Sequence, residues 1–177
     1  MVASKKVAMV TGAGQGIGRA IALRLAKAGF ALSITDLNLA NAQKVAQEIN
    51  QDGGEAMAVE LNVAGRANFR KAVQTTAVQL GGFDVLVNNA GLEPVTKIED
   101  VTPEMFNKVM NVNVAGDMWG FKRPWNNLNR RPVAAKKLSV RLLMRPPKPE
   151  SVATRMNCFI AVASLPFAAL PRLRRGI

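Results

Sequence analysis

The first 120 residues predict a doubly wound α/β fold, a parallel sheet with crossover helices, and three observations carry that reading. Short β-branched runs alternate with longer helical patterns. A glycine-rich string, TGAGQGIG at residues 11–18, lies between the first run and the first helical pattern. An acid, Asp36, closes the second run. Together they describe the N-terminal half of a Rossmann-type sheet, with an expected strand order of 3-2-1-4.

Residues 6–11 (KVAMVT) predict the first strand, because they are apolar on both faces and stop at a glycine turn. Residues 16–28 predict a helix in which Ile17, Ile21, Leu23 and Leu25 form a broad apolar stripe while Arg19, Arg24 and Lys27 lie towards water. Residues 30–36 predict the second strand, and 39–52 a helix ended by Gly53 and Gly54. Residues 56–61 predict the third strand, 66–80 a helix broken by Gly81 and Gly82, and 83–87 the fourth strand. Thr102, Pro103 and Glu104 then open another helix as an N-cap, an N1 proline and an early acid.

Beyond Gly120 the alternation stops. The chain of 177 residues carries 24 Lys and Arg against 12 Asp and Glu, a net charge of +12. All of that excess lies in residues 121–177, which hold 13 basic residues and the single acid Glu150, together with seven of the nine prolines. The expected organisation is therefore a nucleotide-binding half-domain at 1–120 and an irregular, basic, proline-rich tail at 121–177. Phosphate contact by the cations, with stacking on Trp119, Phe121 and Trp125, is one reading of that tail. Their scatter among prolines favours a solvated tail and no nucleic-acid partner. Cys158 is the lone cysteine and there is no histidine, which excludes a disulfide framework and the usual zinc sites. The longest mostly apolar stretch, residues 158–170, is thirteen residues and contains Pro166, too short for a membrane span. No signal peptide is read at the N-terminus, so the expected setting is cytoplasmic.

Glycines in residues 11–18 let the backbone turn sharply and approach a pyrophosphate, whose charge meets the N–H groups and positive end of the following helix. Asp36 lies eighteen residues beyond Gly18, where a carboxylate accepts from ribose hydroxyls and repels a 2′-phosphate. Neither Gln15 nor Leu37 offers a cation, so NAD is expected over NADP. A glycine turn with no ligand, followed by an ordinary surface Asp, is the alternative. Residues 88–91 (NNAG) follow the fourth strand; alone they read equally as a turn. Residues 111–114 (NVNV), with Gly116 beyond them, read alone as polar positions on an exposed helix face.

In this order and spacing, Thr11-Gly12-x-x-x-Gly16-x-Gly18, Asp36, NNAG and the Asn113 helix resemble the short-chain dehydrogenase/reductase family. Within it, residues 10–30 (VTGAGQGIGRAIALRLAKAGF), residues 81–91 (GGFDVLVNNAG) and the Asn-Val-Asn-Val stretch that runs on to Trp119 and Gly120 resemble most the bacterial diacetyl/acetoin reductases, also called 2,3-butanediol dehydrogenases. The resemblance covers residues 1–120. It implies an NADH-dependent oxidoreductase that interconverts diacetyl, acetoin and butanediol, and a homotetramer for intact relatives. It implies that Gly12, Gln15, Gly16, Ile17 and Gly18 cradle the cofactor and that Asp36 reads the ribose. Asn62 and Val63 would stand beside adenine, with Asn62 where many relatives have Asp, while Asn89, Ala90 and Gly91 line the cofactor cleft. Asn113 would be the family Asn that holds a proton-relay water.

The departure lies in the acid/base group. The family uses a Tyr, a Lys four residues later and a Ser, and this sequence has no tyrosine. Proton transfer of that kind is worth about 10²- to 10⁴-fold, so the chain as written is expected to be inactive, either a dinucleotide-binding fragment or the remnant of a reductase. A single lost base near codon 121 accounts for the tail. Shifting the frame permits YSGSK from residue 159 onward, a strand ending in Ser from residue 137, and a helix continuation from residue 122. The tail is accordingly expected to be a frameshifted translation.

Overall fold

The computed structural model describes residues 5–121. Strands β1 (Val7–Thr11), β2 (Ala31–Asp36), β3 (Glu55–Glu60) and β4 (Val85–Val87) form one parallel sheet in the order β3-β2-β1-β4, as the sequence predicts. All five residues of β1 are buried, because helices cover both faces of the sheet. Helices α1 (Gly16–Lys27) and α2 (Leu39–Gln51) cover one face, and α3 (Arg66–Gln79) covers the other.

The pleat divides the core accordingly. Ala8, Val10, Leu32 and Ile34 pack with Ala22, Ala42, Val45 and Ile49 on the first side. Met9 and Leu86 point the other way, to Phe69, Ala72, Val73 and Phe83 of the α3 layer. The buried hydroxyls of Thr76 and Ser33 share a hydrogen bond of 2.8 Å that links α3 to β2. Helices α4 (Pro103–Met110) and α5 (Gly116–Phe121) follow β4, and Trp119 of α5 packs against the α3 layer. The Arg66 guanidinium lies 5.8 Å from the centre of the Trp119 ring. At the start of α4, Thr102 Oγ1 accepts from the Met105 N–H at 3.2 Å, the N-cap that its sequence announces.

Several expectations change. Ile17, which the period places in the apolar stripe of the first helix, is 68% exposed. The buried face of α1 is centred instead on Gly18 and Ala22, one turn apart, whose small size lets the helix lie close to the sheet. Arg19, expected in water, is half-buried and makes a two-pronged ion pair with Glu48 of α2. Strand β4 has three residues rather than five; just before it, the Asp84 N–H donates to the Val7 carbonyl at 2.9 Å, and the Asp84 side chain takes the place of a backbone acceptor, its Oδ2 accepting from the Val7 N–H at 2.8 Å. Asn113 does not lie on a regular α-helix: residues Asn111–Ala115 form a π-helical turn between α4 and α5. No helix among the described residues is long and apolar enough to cross a membrane. The tail beyond residue 121, with its expected frame-shifted segments, lies outside the described residues.

Candidate cofactor-binding site

The chain winds outward from β1 through β2 to β3, and the connection through α3 then returns it to β4 on the other side of β1, so the ends of β1 and β4 flank the point where the winding reverses. The loop after β1 is built by its glycines. Gly12 has φ +61° and packs so tightly that a Cβ there would lie 2.9 Å from the Ala90 Cα. Gly18 has no room at all, since a Cβ would stand 2.3 Å from the Gly12 carbonyl oxygen. Gly16 has φ +57° and open space above it. Gln15 is the N-cap of α1 but makes no capping bond, and the first turn carries no acid, so its backbone donors are left to a ligand or to water. The exposed Ile17 lies in that same turn.

The loop is then clamped from two sides. From β4, the Thr11 hydroxyl accepts from the Asn89 and Ala90 N–H groups, both at 3.0 Å, while Asn89 Nδ2 donates to the carbonyls of Thr11 (3.0 Å) and Gly12 (3.2 Å). From β2, Asp36 Oδ2 accepts from the Gly14 N–H at 2.8 Å, and its Oδ1 accepts from the Asn38 N–H at 3.0 Å. The Ala13 N–H adds a bond to the Thr35 carbonyl at 3.0 Å. The carboxylate of Asp36 therefore stands at the mouth of the loop with its geometry fixed and lone pairs to spare.

Beside it opens a cleft of about 680 Å³ lined by Gln15, Asp36, Leu37, Asn38, Asn41 and Glu60, among other residues. Among the described residues, no Lys or Arg lines it. The structure thus brings together Gly12, Gln15, Gly16, Gly18, Asp36, Asn89 and Ala90 at one end of the sheet. Gly91 follows them, exposed. Asn62 is exposed just beyond β3, where its Oδ1 accepts from the Ala64 N–H at 3.0 Å. Val63 is buried against Gly116 of α5, where a Cβ on that glycine would come within 3.1 Å, so its side chain serves packing.

Asn113 holds the backbone of Leu92 with both ends of its amide: Oδ1 accepts from the Leu92 N–H at 2.8 Å and Nδ2 donates to its carbonyl at 2.9 Å. This clasp fixes the segment that follows Gly91. Asn88, buried, donates from Nδ2 to the Asp117 carbonyl at 3.3 Å and so ties the end of β4 to α5. Asp117 itself is pushed up to about 6 by burial. Thr11, Gly14, Asn88 and Glu60 are site residues to which the sequence assigned no separate role. Thr11, Gly14 and Asn88 stand inside the glycine-rich and NNAG motifs, whereas Glu60 is an ordinary acid at a strand end and carries no local signal.

Comparison with known proteins agrees with this architecture. A family model described as short chain dehydrogenase matches residues 6–133. Over 119 residues the chain is 45% identical to the (S)-acetoin-forming diacetyl reductase of Staphylococcus aureus, an alignment covering 67% of this chain and 46% of that protein. It is 41% identical over 119 residues to the L-2,3-butanediol dehydrogenase of Corynebacterium glutamicum, covering 66% and 46%. Among solved structures, a 3-ketoacyl-ACP reductase from Sinorhizobium meliloti superimposes with a TM-score of 0.63 at 35% identity, covering 65% of this chain and 46% of that one. The chain thus spans about half the length of the curated relatives it matches.

Proposed function

The chain belongs to the short-chain dehydrogenase family, and from that premise we propose that it is the dinucleotide-binding half of an oxidoreductase that uses NAD, with a small ketone or secondary alcohol as the substrate of the intact enzyme. The names of the diacetyl reductase and butanediol dehydrogenase relatives support that substrate class. The observation that carries the cofactor reading is Asp36, a carboxylate held by Gly14 and Asn38 at the mouth of the glycine loop, beside a cleft that no Lys or Arg of the described residues lines.

The residues present fit a dinucleotide. The missing side chains of Gly12 and Gly18 let the loop pack against Ala90 and α1 pack against the loop, Gly16 leaves open space at the start of the helix, and the N–H groups of the first turn of α1 have no side-chain cap, so they would receive a pyrophosphate. Asp36 keeps lone pairs for two ribose hydroxyls. Asn89 and Thr11 hold the loop to β4 so that its donors are placed before a ligand arrives. Asn113, by fixing Leu92, orders the segment leading away from Gly91, and we assign it a positioning role next to any relay water it holds. The dinucleotide, when bound, supplies or accepts the hydride.

The chain offers no tyrosine to deliver the accompanying proton. We therefore read the 177-residue chain as binding NADH without turnover, with residues 121–177 a frameshifted tail and the protein cytoplasmic. The test is to titrate NADH into the purified chain and then add diacetyl. Saturable binding with no loss of NADH absorbance is expected. Absence of binding overturns the cofactor reading, and steady NADH oxidation overturns the inactivity.

A further inference from the structure

We propose that Glu60 is a specificity-determining residue of the cofactor cleft, a second carboxylate that rejects a 2′-phosphate alongside Asp36; this rests on the NAD reading above. Asp36 and Glu60 are register partners on the neighbouring parallel strands β2 and β3, so their Cα atoms sit side by side at the same end of the sheet. Both line the cleft of about 680 Å³, and neither Leu37, Asn38, Asn41 nor Gln15 brings a positive charge to it.

The two acids differ in how far their charge is already answered. Each oxygen of Asp36 accepts a backbone N–H, from Gly14 and from Asn38. Those dipoles temper the field that Asp36 projects and commit it to bracing the loop. Glu60 is exposed, and among the described residues it has neither an ion pair nor a hydrogen bond from its side chain. Its charge therefore acts on whatever enters the cleft, subject only to solvent and salt.

The consequence separates the two residues experimentally. Substituting Asp36 removes the Gly14 brace and weakens every dinucleotide, whereas substituting Glu60 leaves the loop intact and changes the preference between dinucleotides. A unit charge roughly 7 to 10 Å from a phosphate of nearly two charges, in a water-like medium, alters affinity about three- to sevenfold.

The experiment measures Kd for NADPH and for NADH with the full chain and with Glu60→Gln, at about 0.02 M and about 0.5 M salt. The expected result is that E60Q lowers the NADPH-to-NADH Kd ratio about three- to sevenfold at low salt and that the change largely disappears at high salt. Glu60→Lys should lower the ratio further. An unchanged ratio in E60Q, with the wild-type chain binding NADH, overturns the role of Glu60 and leaves the NAD reading standing. A change that persists undiminished at high salt also overturns it, because it marks a structural rather than an electrostatic cause. A wild-type chain that binds neither dinucleotide overturns the cofactor reading and this inference with it.

Discussion

Gly18→Ala inserts a methyl group where the structure has no room. The added carbon would lie 2.3 Å from the Gly12 carbonyl oxygen and 2.5 Å from Asn89 Nδ2. An ordinary C···O approach is about 3.3 Å, so the start of α1 must retreat by about 1 Å. The retreat also strikes the bond of 3.2 Å by which Asn89 holds the Gly12 carbonyl. Overpacking of this kind costs about 1–3 kcal/mol and the disturbed hydrogen bond about 1 kcal/mol more. The melting temperature of the chain should therefore fall by on the order of 10 °C. Moving the α1 donors should also weaken NADH about tenfold or more. Gly16→Ala is the informative companion, since it meets nothing within 4 Å and suffers only from its φ of +57°, a strain of about 1–2 kcal/mol. Differential scanning calorimetry and NADH fluorescence titration on both variants provide the readouts. If G18A melts within about 2 °C of the parent and binds NADH equally well, the close approach of α1 to the loop is not what shapes the site.

Asn89→Ala removes the donor to both the Thr11 and Gly12 carbonyls and should cost about 2–3 kcal/mol in urea denaturation, with weaker NADH binding. Asp117→Asn should stabilise the chain above pH 6. The folded carboxyl, raised to about 6 from 3.8, favours the protonated form, so its contribution to stability is present in acid and is lost as the pH rises from about 4 through about 6. Because the group is only part-buried, solvent screening reduces the gain to about 1 kcal/mol, and melts of D117N and parent should converge near pH 4. Phe106 and Met110, four residues apart on α4, are 54% and 40% exposed and extend into the likewise exposed Val114 and Met118. Phe106→Glu with Met110→Lys should raise severalfold the concentration at which light scattering detects self-association.

The sheet was legible because its signals are local. The VAMV run of β1, the glycine string and Asp36 each announce themselves within a few residues, and right-handed crossovers then constrain the strand order. Orientation within elements was less legible. Ile17 looks like a core residue by period, but the burial of α1 is governed by the small Gly18 and Ala22, a choice made by the strand behind them. The π-turn at Asn113 accompanies its clasp of Leu92, twenty-one residues away, and no helical period announces it. The spacing presents Asp36 as a ribose contact, whereas its bond to the Gly14 N–H makes it part of the loop as well. Glu60 becomes visible only through its register with Asp36, which a sequence does not display.

Central to the proposed function is one preorganised dinucleotide site formed by the glycine loop, Asp36 and the β4 clamp. Isothermal titration of NADH into the purified 177-residue protein tests it most directly. One saturable site per chain, with NADPH binding more weakly, is the predicted result; no heat of binding up to millimolar NADH would contradict it.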